Sequence, residues 1–125
     1  MKILIADDSA DFRERIRNLL DLNKNVEVVG EAANGIEALK LIKNKEPDMI
    51  ILDIQMPLMN GIQVLKEIKV QGIKITICIL TNFPYAQYKK KCLNEGADYF
   101  FDKSKDFHKI NLAIEKALAY NGSTC

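Results

Sequence analysis

At 125 residues with a formal net charge of +1, the chain can bury one hydrophobic core, and its balance of charge excludes a nucleic-acid surface built on bulk basicity. Hydrophobic residues make up 48% and charged residues 28%, as in an ordinary globular domain, and the longest apolar runs are far too short to cross a membrane. Cys78, Cys92 and Cys125 have neither paired nor metal-like spacing, so free thiols in a reducing compartment, most simply a cytoplasm, are expected.

Lys2-Ile-Leu-Ile-Ala6 is a short apolar run that ends in two acids, Asp7 and Asp8, with no signal-peptide pattern before it. Ser9 offers a helix N-cap, and Phe12, Ile16, Leu19 and Leu20 recur at helical spacing to about Leu22. Val26 to Ala32 is rich in β-branched residues and reads as a second strand, broken by Asn34-Gly35. A helix with Ile36, Leu39 and Ile42 on one face follows and is blocked by Pro47. Met49 to Leu52 is wholly apolar and ends abruptly at Asp53, the pattern of a strand buried on both faces.

Beyond Pro57 the chain turns through Met59-Asn60-Gly61, and Ile62, Leu65 and Ile68 mark a third helix closing near Gly72. The apolar stretch from Ile73 supplies a fourth strand ending at Leu80, with Thr81 directly after it. Pro84 suits the first turn of a helix that runs to about Glu95 and stops at Gly96. Tyr99 to Phe101 is a fifth strand with Lys103 just beyond, and Phe107, Ile110, Ile114, Ala117 and Leu118 mark the last helix. A domain over residues 1–120 and a polar tail over 121–125 are expected.

Five strands alternating with five helices on short connections fit a doubly wound α/β fold, a flavodoxin-like three-layer (βα)5 sandwich. Strand order 2-1-3-4-5 places the most apolar strand centrally and the mildly polar second strand at an edge. The carboxyl ends of strands one, three, four and five then bring Asp7, Asp8, Asp53, Thr81 and Lys103 to one rim, where ligands collect in such folds. Three crowded carboxylates repel unless a cation joins them. Mg²⁺ fits, since it accepts a few carboxylates and keeps several waters. A carboxylate nucleophile, a metal, a hydroxyl and an amine together make the inventory of a phosphoryl-transfer site.

Asp7-Asp8, Asp53 with Pro57 and Gly61 after it, Thr81, and Gly96-Ala97-Asp98 leading to Lys103 resemble the CheY-like receiver domain of two-component response regulators. The resemblance spans Lys2 to about Tyr120. It implies that Asp53 accepts a phosphoryl group from a histidine kinase or phosphotransfer protein. It further implies that Asp7, Asp8, Asp53 and the Gln55 backbone carbonyl hold Mg²⁺, and that Thr81 and Lys103 bind phosphoryl oxygens, Lys103 pairing with Asp53 at rest. Thr81 and Phe100 would form the switch, read by a downstream protein or a second copy through the face of the fourth helix, fifth strand and last helix. The receiver would catalyse only its own phosphorylation and dephosphorylation, and would bind neither nucleic acid nor membrane.

The family often has tyrosine where this chain has Phe100, and proline where it has Ser104. Gln55 and Phe83 stand at two positions that tune access of hydrolytic water, and the bulk of Phe83 implies slow self-dephosphorylation. A stand-alone receiver is expected. Its alternatives are a receiver cut from a DNA-binding transcriptional regulator, a Mg²⁺-dependent phosphatase with an aspartyl nucleophile, and a receiver-like module that never accepts phosphate. The phosphatase would need a second acid where Gln55 stands. Phe83, Tyr85, Tyr88 and Phe100 suggest an aromatic interface; Lys89-Lys90-Lys91 reads as a solvated helix face and His108 as a lone surface histidine.

Overall fold

A computed structural model describes the backbone of residues 1–123 and the side chains of residues 1–119. Strands and helices alternate as β1 (Lys2–Ala6), α1 (Ala10–Leu20), β2 (Glu27–Ala32), α2 (Gly35–Lys45), β3 (Met49–Leu52), α3 (Gly61–Val70), β4 (Thr76–Thr81), α4 (Ala86–Asn94), β5 (Tyr99–Asp102) and α5 (Lys109–Ser123). The sheet is parallel throughout, in the order β2-β1-β3-β4-β5. α5 thus continues into the stretch read as a polar tail, while Cys125 lies outside the described residues. No helix among the described residues is long and apolar enough to cross a membrane.

Side-chain alternation along the strands builds two cores. Leu4, Ala6, Ile50, Leu52, Ile77 and Ile79 face α2, α3 and α4, while Ile3, Ile5, Met49, Ile51, Cys78 and Leu80 face α1 and α5. β3 is buried along its whole length, so its sequence has no polar position to spare. Two aspartates set where strands begin. Asp48 accepts the Lys2 N–H at 2.7 Å and Asp98 the Ile77 N–H at 2.8 Å, each also donating its own N–H to the same partner residue's carbonyl.

The helix starts follow local chemistry. Ser9 and Asn34 accept the N–H three residues on, and Asn60 and Gln63 close a reciprocal capping box. α4 departs from expectation: it begins at Ala86, after an N-cap Tyr85 that makes no side-chain cap. Pro84 therefore precedes the helix, and it favours extended backbone at Phe83. Gly96, at φ +105°, ends the segment in a conformation other residues adopt at a cost.

Cys78 and Cys92 are buried and unpaired. Burial, with a contribution from Asp98, pushes the Cys78 thiol up to about 12, and burial alone takes Cys92 to about 11. Native Cys125→Ser protein is therefore expected to resist a chromogenic disulfide reagent until denaturant exposes both thiols. A thiol that reacts at once in the native state would contradict this packing.

Candidate functional site

Asp7, Asp53 and Lys103 continue one alternation, 3-5-7, 49-51-53 and 99-101-103, beyond the ends of β1, β3 and β5. Thr81 continues the other, after Ile77 and Ile79. Because β1 and β3 are neighbours whose crossovers leave in opposite directions, a crevice opens between their carboxyl ends. Asp7, Asp53, Thr81 and Lys103 are the buried polar residues there, whereas Asp8 is exposed.

Lys103 Nζ lies 2.7 Å from Asp7 Oδ2 and 3.4 Å from Asp53 Oδ2. The ammonium also sits 4.3 Å from the centre of the Phe12 ring, whose π-face favours a cation. At rest, then, Lys103 pairs with Asp53 as expected, and pairs more closely still with Asp7. The lysine leaves from the far end of β5, and the Phe12 ring guides it toward β1. Asp7 Oδ1 accepts the Ser9 N–H at 2.9 Å.

Burial raises the Asp53 carboxyl to about 6, helped by the neighbouring Asp7 charge and opposed by Lys103 and by the Gln55 backbone N–H. One carboxylate oxygen from each of Asp7, Asp8 and Asp53 lies within 4.8 Å of the other two. Two oxygens on one Mg²⁺ at about 2.1 Å lie at most about 4.2 Å apart. Small side-chain rotations would close that gap, so the donor set fits a hard, oxygen-loving cation.

Thr81 joins this group through its backbone, its carbonyl accepting the Lys103 N–H at 2.9 Å. Its hydroxyl oxygen accepts the Phe83 N–H at 3.0 Å, which leaves the hydroxyl proton available to an acceptor oxygen. Beyond Asp53, on the same rim, the chain bends sharply. Leu58 has φ +67° and is spanned by a 2.7 Å bond from Met59 N–H to the Pro57 carbonyl, a γ-turn. Gly61 then brings α3 so close that a Cβ would meet the Asp53 carbonyl oxygen at 2.2 Å.

A sequence profile of the response regulator receiver domain matches residues 3–115. The chain belongs to that family. Among relatives of this receiver, the Clostridium acetobutylicum protein-glutamate methylesterase/protein-glutamine glutaminase is 40% identical over 131 residues, covering 99% of this chain and 38% of that protein. The uncharacterized transcriptional regulatory protein YhcZ of Bacillus subtilis is 39% identical over 97 residues, covering 78% of this chain and 45% of that protein. CheY in a CheX–CheY–BeF3–Mg²⁺ crystal structure from Borrelia burgdorferi superposes with a TM-score of 0.86 at 28% identity, over 94% of this chain and 89% of that one. The receiver spans about half the length of the first curated relatives it matches, 56% in one and 38% in another.

Of the rim residues expected from the receiver's sequence, Asp7, Asp53 and Lys103 touch, Asp8 stands beside them, and Thr81 is tied to Lys103 through its backbone. Gln55 contributes its backbone at the Asp53 carboxylate, with its side chain exposed. Phe100 is half-buried on the α4 side, packed with the core that holds Cys92, while Tyr99 points to the other face, as their alternation requires. Phe12 and Arg13 are the site neighbours that sequence reasoning missed. Phe12 looked like an ordinary core position of α1, and nothing in the sequence told of its ring lying under Lys103.

Ser104, where the family often has proline, donates both its N–H (2.9 Å) and its hydroxyl (2.8 Å) to Asp102 Oδ1. Those bonds lower the Asp102 carboxyl. In this receiver an Asx-type turn does the work of holding the Lys103 loop.

Proposed function

We propose that this receiver is a phospho-accepting switch, with Asp53 the phosphoacceptor. The observation that carries the reading is a buried carboxylate 3.4 Å from a buried lysine, inside a cluster of three acids. An Asp53 oxygen attacks the phosphorus of a phosphohistidine on a histidine kinase or phosphotransfer protein. The P–N bond breaks, its electrons pass to the imidazole nitrogen, and that nitrogen takes up a proton from solvent water. Asp7, Asp8, Asp53 and the Gln55 carbonyl would hold Mg²⁺, which supplies charge neutralisation at the transferring oxygens.

Lys103 then trades its carboxylate partners for phosphoryl oxygens, and the Thr81 hydroxyl donates to another. A phosphoryl group adds roughly two negative charges, which draws Thr81 and the loop after β4 toward it. Phe100 fills the space Thr81 leaves, and the α4–β5–α5 face changes for a downstream protein or a second copy. The amide of Gln55, in place of an acid, weighs against a phosphatase that turns over free substrates.

Incubation with acetyl phosphate and Mg²⁺ is expected to add one phosphoryl group, read by intact mass, and Asp53→Asn is expected to add none. Equal labelling of both proteins would end the reading. Phe83 is an exposed aromatic whose backbone N–H is held by the Thr81 hydroxyl oxygen, and its bulk next to that hydroxyl supports slow entry of hydrolytic water. A phosphoryl lifetime of minutes or longer is expected, and Phe83→Ala should shorten it; a lifetime of seconds in the unsubstituted receiver would contradict this.

A second reading concerns the output. The relatives in which such a receiver occupies about half the length or less include a methylesterase and a transcriptional regulatory protein. Their lengths favour a receiver that controls an output domain on its own polypeptide over a stand-alone switch. The complete reading frame decides between the two.

A further inference from the structure

Asp7 is committed on every side. Its N–H donates to the Ala32 carbonyl at 2.9 Å, its Oδ1 accepts the Ser9 N–H, and its Oδ2 meets Lys103. The Asp7 carbonyl accepts a 2.6 Å hydrogen bond from the Arg13 guanidinium. That carbonyl belongs to the planar peptide unit joining Asp7 to Asp8. Its direction therefore fixes the plane from which the Asp8 Cα and side chain depart. Asp8 is the exposed acid of the cluster, and the one most in need of outside orientation.

Arg13 is itself braced. Its Nε lies 3.0 Å from Glu31 Oε1, a carboxylate on β2 that also pairs with Arg17. Partial burial works against the Glu31 charge, but the Arg17 and Arg13 guanidiniums outweigh it and hold the carboxyl low. A guanidinium can serve both contacts because its donors diverge in a rigid fork. A lysine in its place has one compact ammonium and cannot hold both positions as firmly.

We propose that Arg13, braced by Glu31, is a positioning residue for the divalent-cation site, orienting the Asp7–Asp8 peptide so that Asp8 converges with Asp7 and Asp53. This rests on the reading that the acid cluster holds a cation. Outer partners of this sort commonly alter metal affinity without touching the metal. Without the Arg13 bond the Asp7–Asp8 peptide can rotate, and cation binding must first restore its direction.

The test is calorimetric Mg²⁺ titration of the whole chain, alongside amide NMR spectra in Mg²⁺-free buffer. Arg13→Ala is expected to weaken Mg²⁺ binding about tenfold, and to move the Asp8 amide resonance already before Mg²⁺ is added. Labelling of Arg13→Ala with acetyl phosphate should need about tenfold more Mg²⁺ to reach its half-maximal rate, in step with the calorimetric loss of affinity. Arg13→Lys should recover part of the affinity. Arg17→Ala removes the other partner of Glu31 but spares the Asp7 carbonyl, so it should bind as the unsubstituted protein does. Equal Mg²⁺ affinity in Arg13→Ala, or an equal loss in Arg17→Ala, would overturn the proposal. If the unsubstituted chain bound no Mg²⁺ at all, the cation reading beneath it would fail first.

Discussion

Replacing Gly61 with alanine is expected to destabilise the fold by about 3 kcal/mol and to slow phosphorylation of Asp53 roughly tenfold or more. The reason is space. Gly61 starts α3, where alanine would be the better helix former, so intrinsic propensity favours the substitution. The added Cβ, however, meets the Asp53 carbonyl oxygen at 2.2 Å and the Ile54 Cα at 2.9 Å. Both are backbone atoms of the segment that carries the phosphoacceptor, and a 2.9 Å bond from Gly61 N–H to the Ile54 carbonyl pins them together. The clash resolves only if α3 or the Asp53 backbone moves. Gly72 is the control. It has φ +65° and nothing within 4 Å of a built Cβ, so Gly72→Ala should cost about 1 kcal/mol of backbone strain and leave phosphorylation untouched. Urea denaturation with the acetyl phosphate assay separates the cases; equal effects of the two substitutions would contradict the steric account.

Asp53→Asn is expected to make the protein more stable at neutral pH in Mg²⁺-free buffer, while abolishing labelling. Burial and the Asp7 charge hold the Asp53 carboxyl near 6 against an ordinary value of 3.8. A folded-state value above the unfolded one means the native state binds the proton more tightly. Protonation therefore stabilises the fold, and the ionised group at pH 7 is a liability on the order of 1–3 kcal/mol. The asparagine removes that liability, and Asp7 remains to pair with Lys103 at 2.7 Å. As pH falls from 7 through 6 toward 4, Asp53 takes up its proton, and the advantage of the variant should shrink to near zero. Subtracting the two stability curves isolates Asp53 from other groups, such as Glu31, whose lowered carboxyl acts with the opposite sign. A variant less stable than the unsubstituted protein at pH 7 would contradict this electrostatic picture.

Much of this architecture was legible because the signals were local. The apolar run Met49–Leu52 can only be a strand covered on both faces, and the acid that ends it emerges at the rim. Ser9 caps α1 as its side chain and position require. The sheet order was legible partly from the apolar pattern and partly from resemblance to receivers. What escaped were contacts between segments distant in sequence. Nothing local told that Lys103 lies nearer Asp7 than Asp53, because that choice depends on the course of β5 and on the Phe12 ring. The Arg13 bond to the Asp7 carbonyl links a side chain to backbone across a helix cap, which leaves no periodic trace. Pro84 misled by about two residues, since proline suits both a helix start and the extended segment before it. Leu58 adopts a positive φ that leucine seldom takes, so its γ-turn had no compositional sign.

Beryllofluoride, a phosphoryl mimic, added with Mg²⁺ to isotopically labelled protein tests the central claim most directly. The account predicts large amide shifts at Asp8, Asp53, Thr81, Phe83 and Lys103, smaller ones reaching Phe100 and α4, and none of these in Asp53→Asn. Shifts scattered away from that rim, or an identical response from the variant, would contradict it.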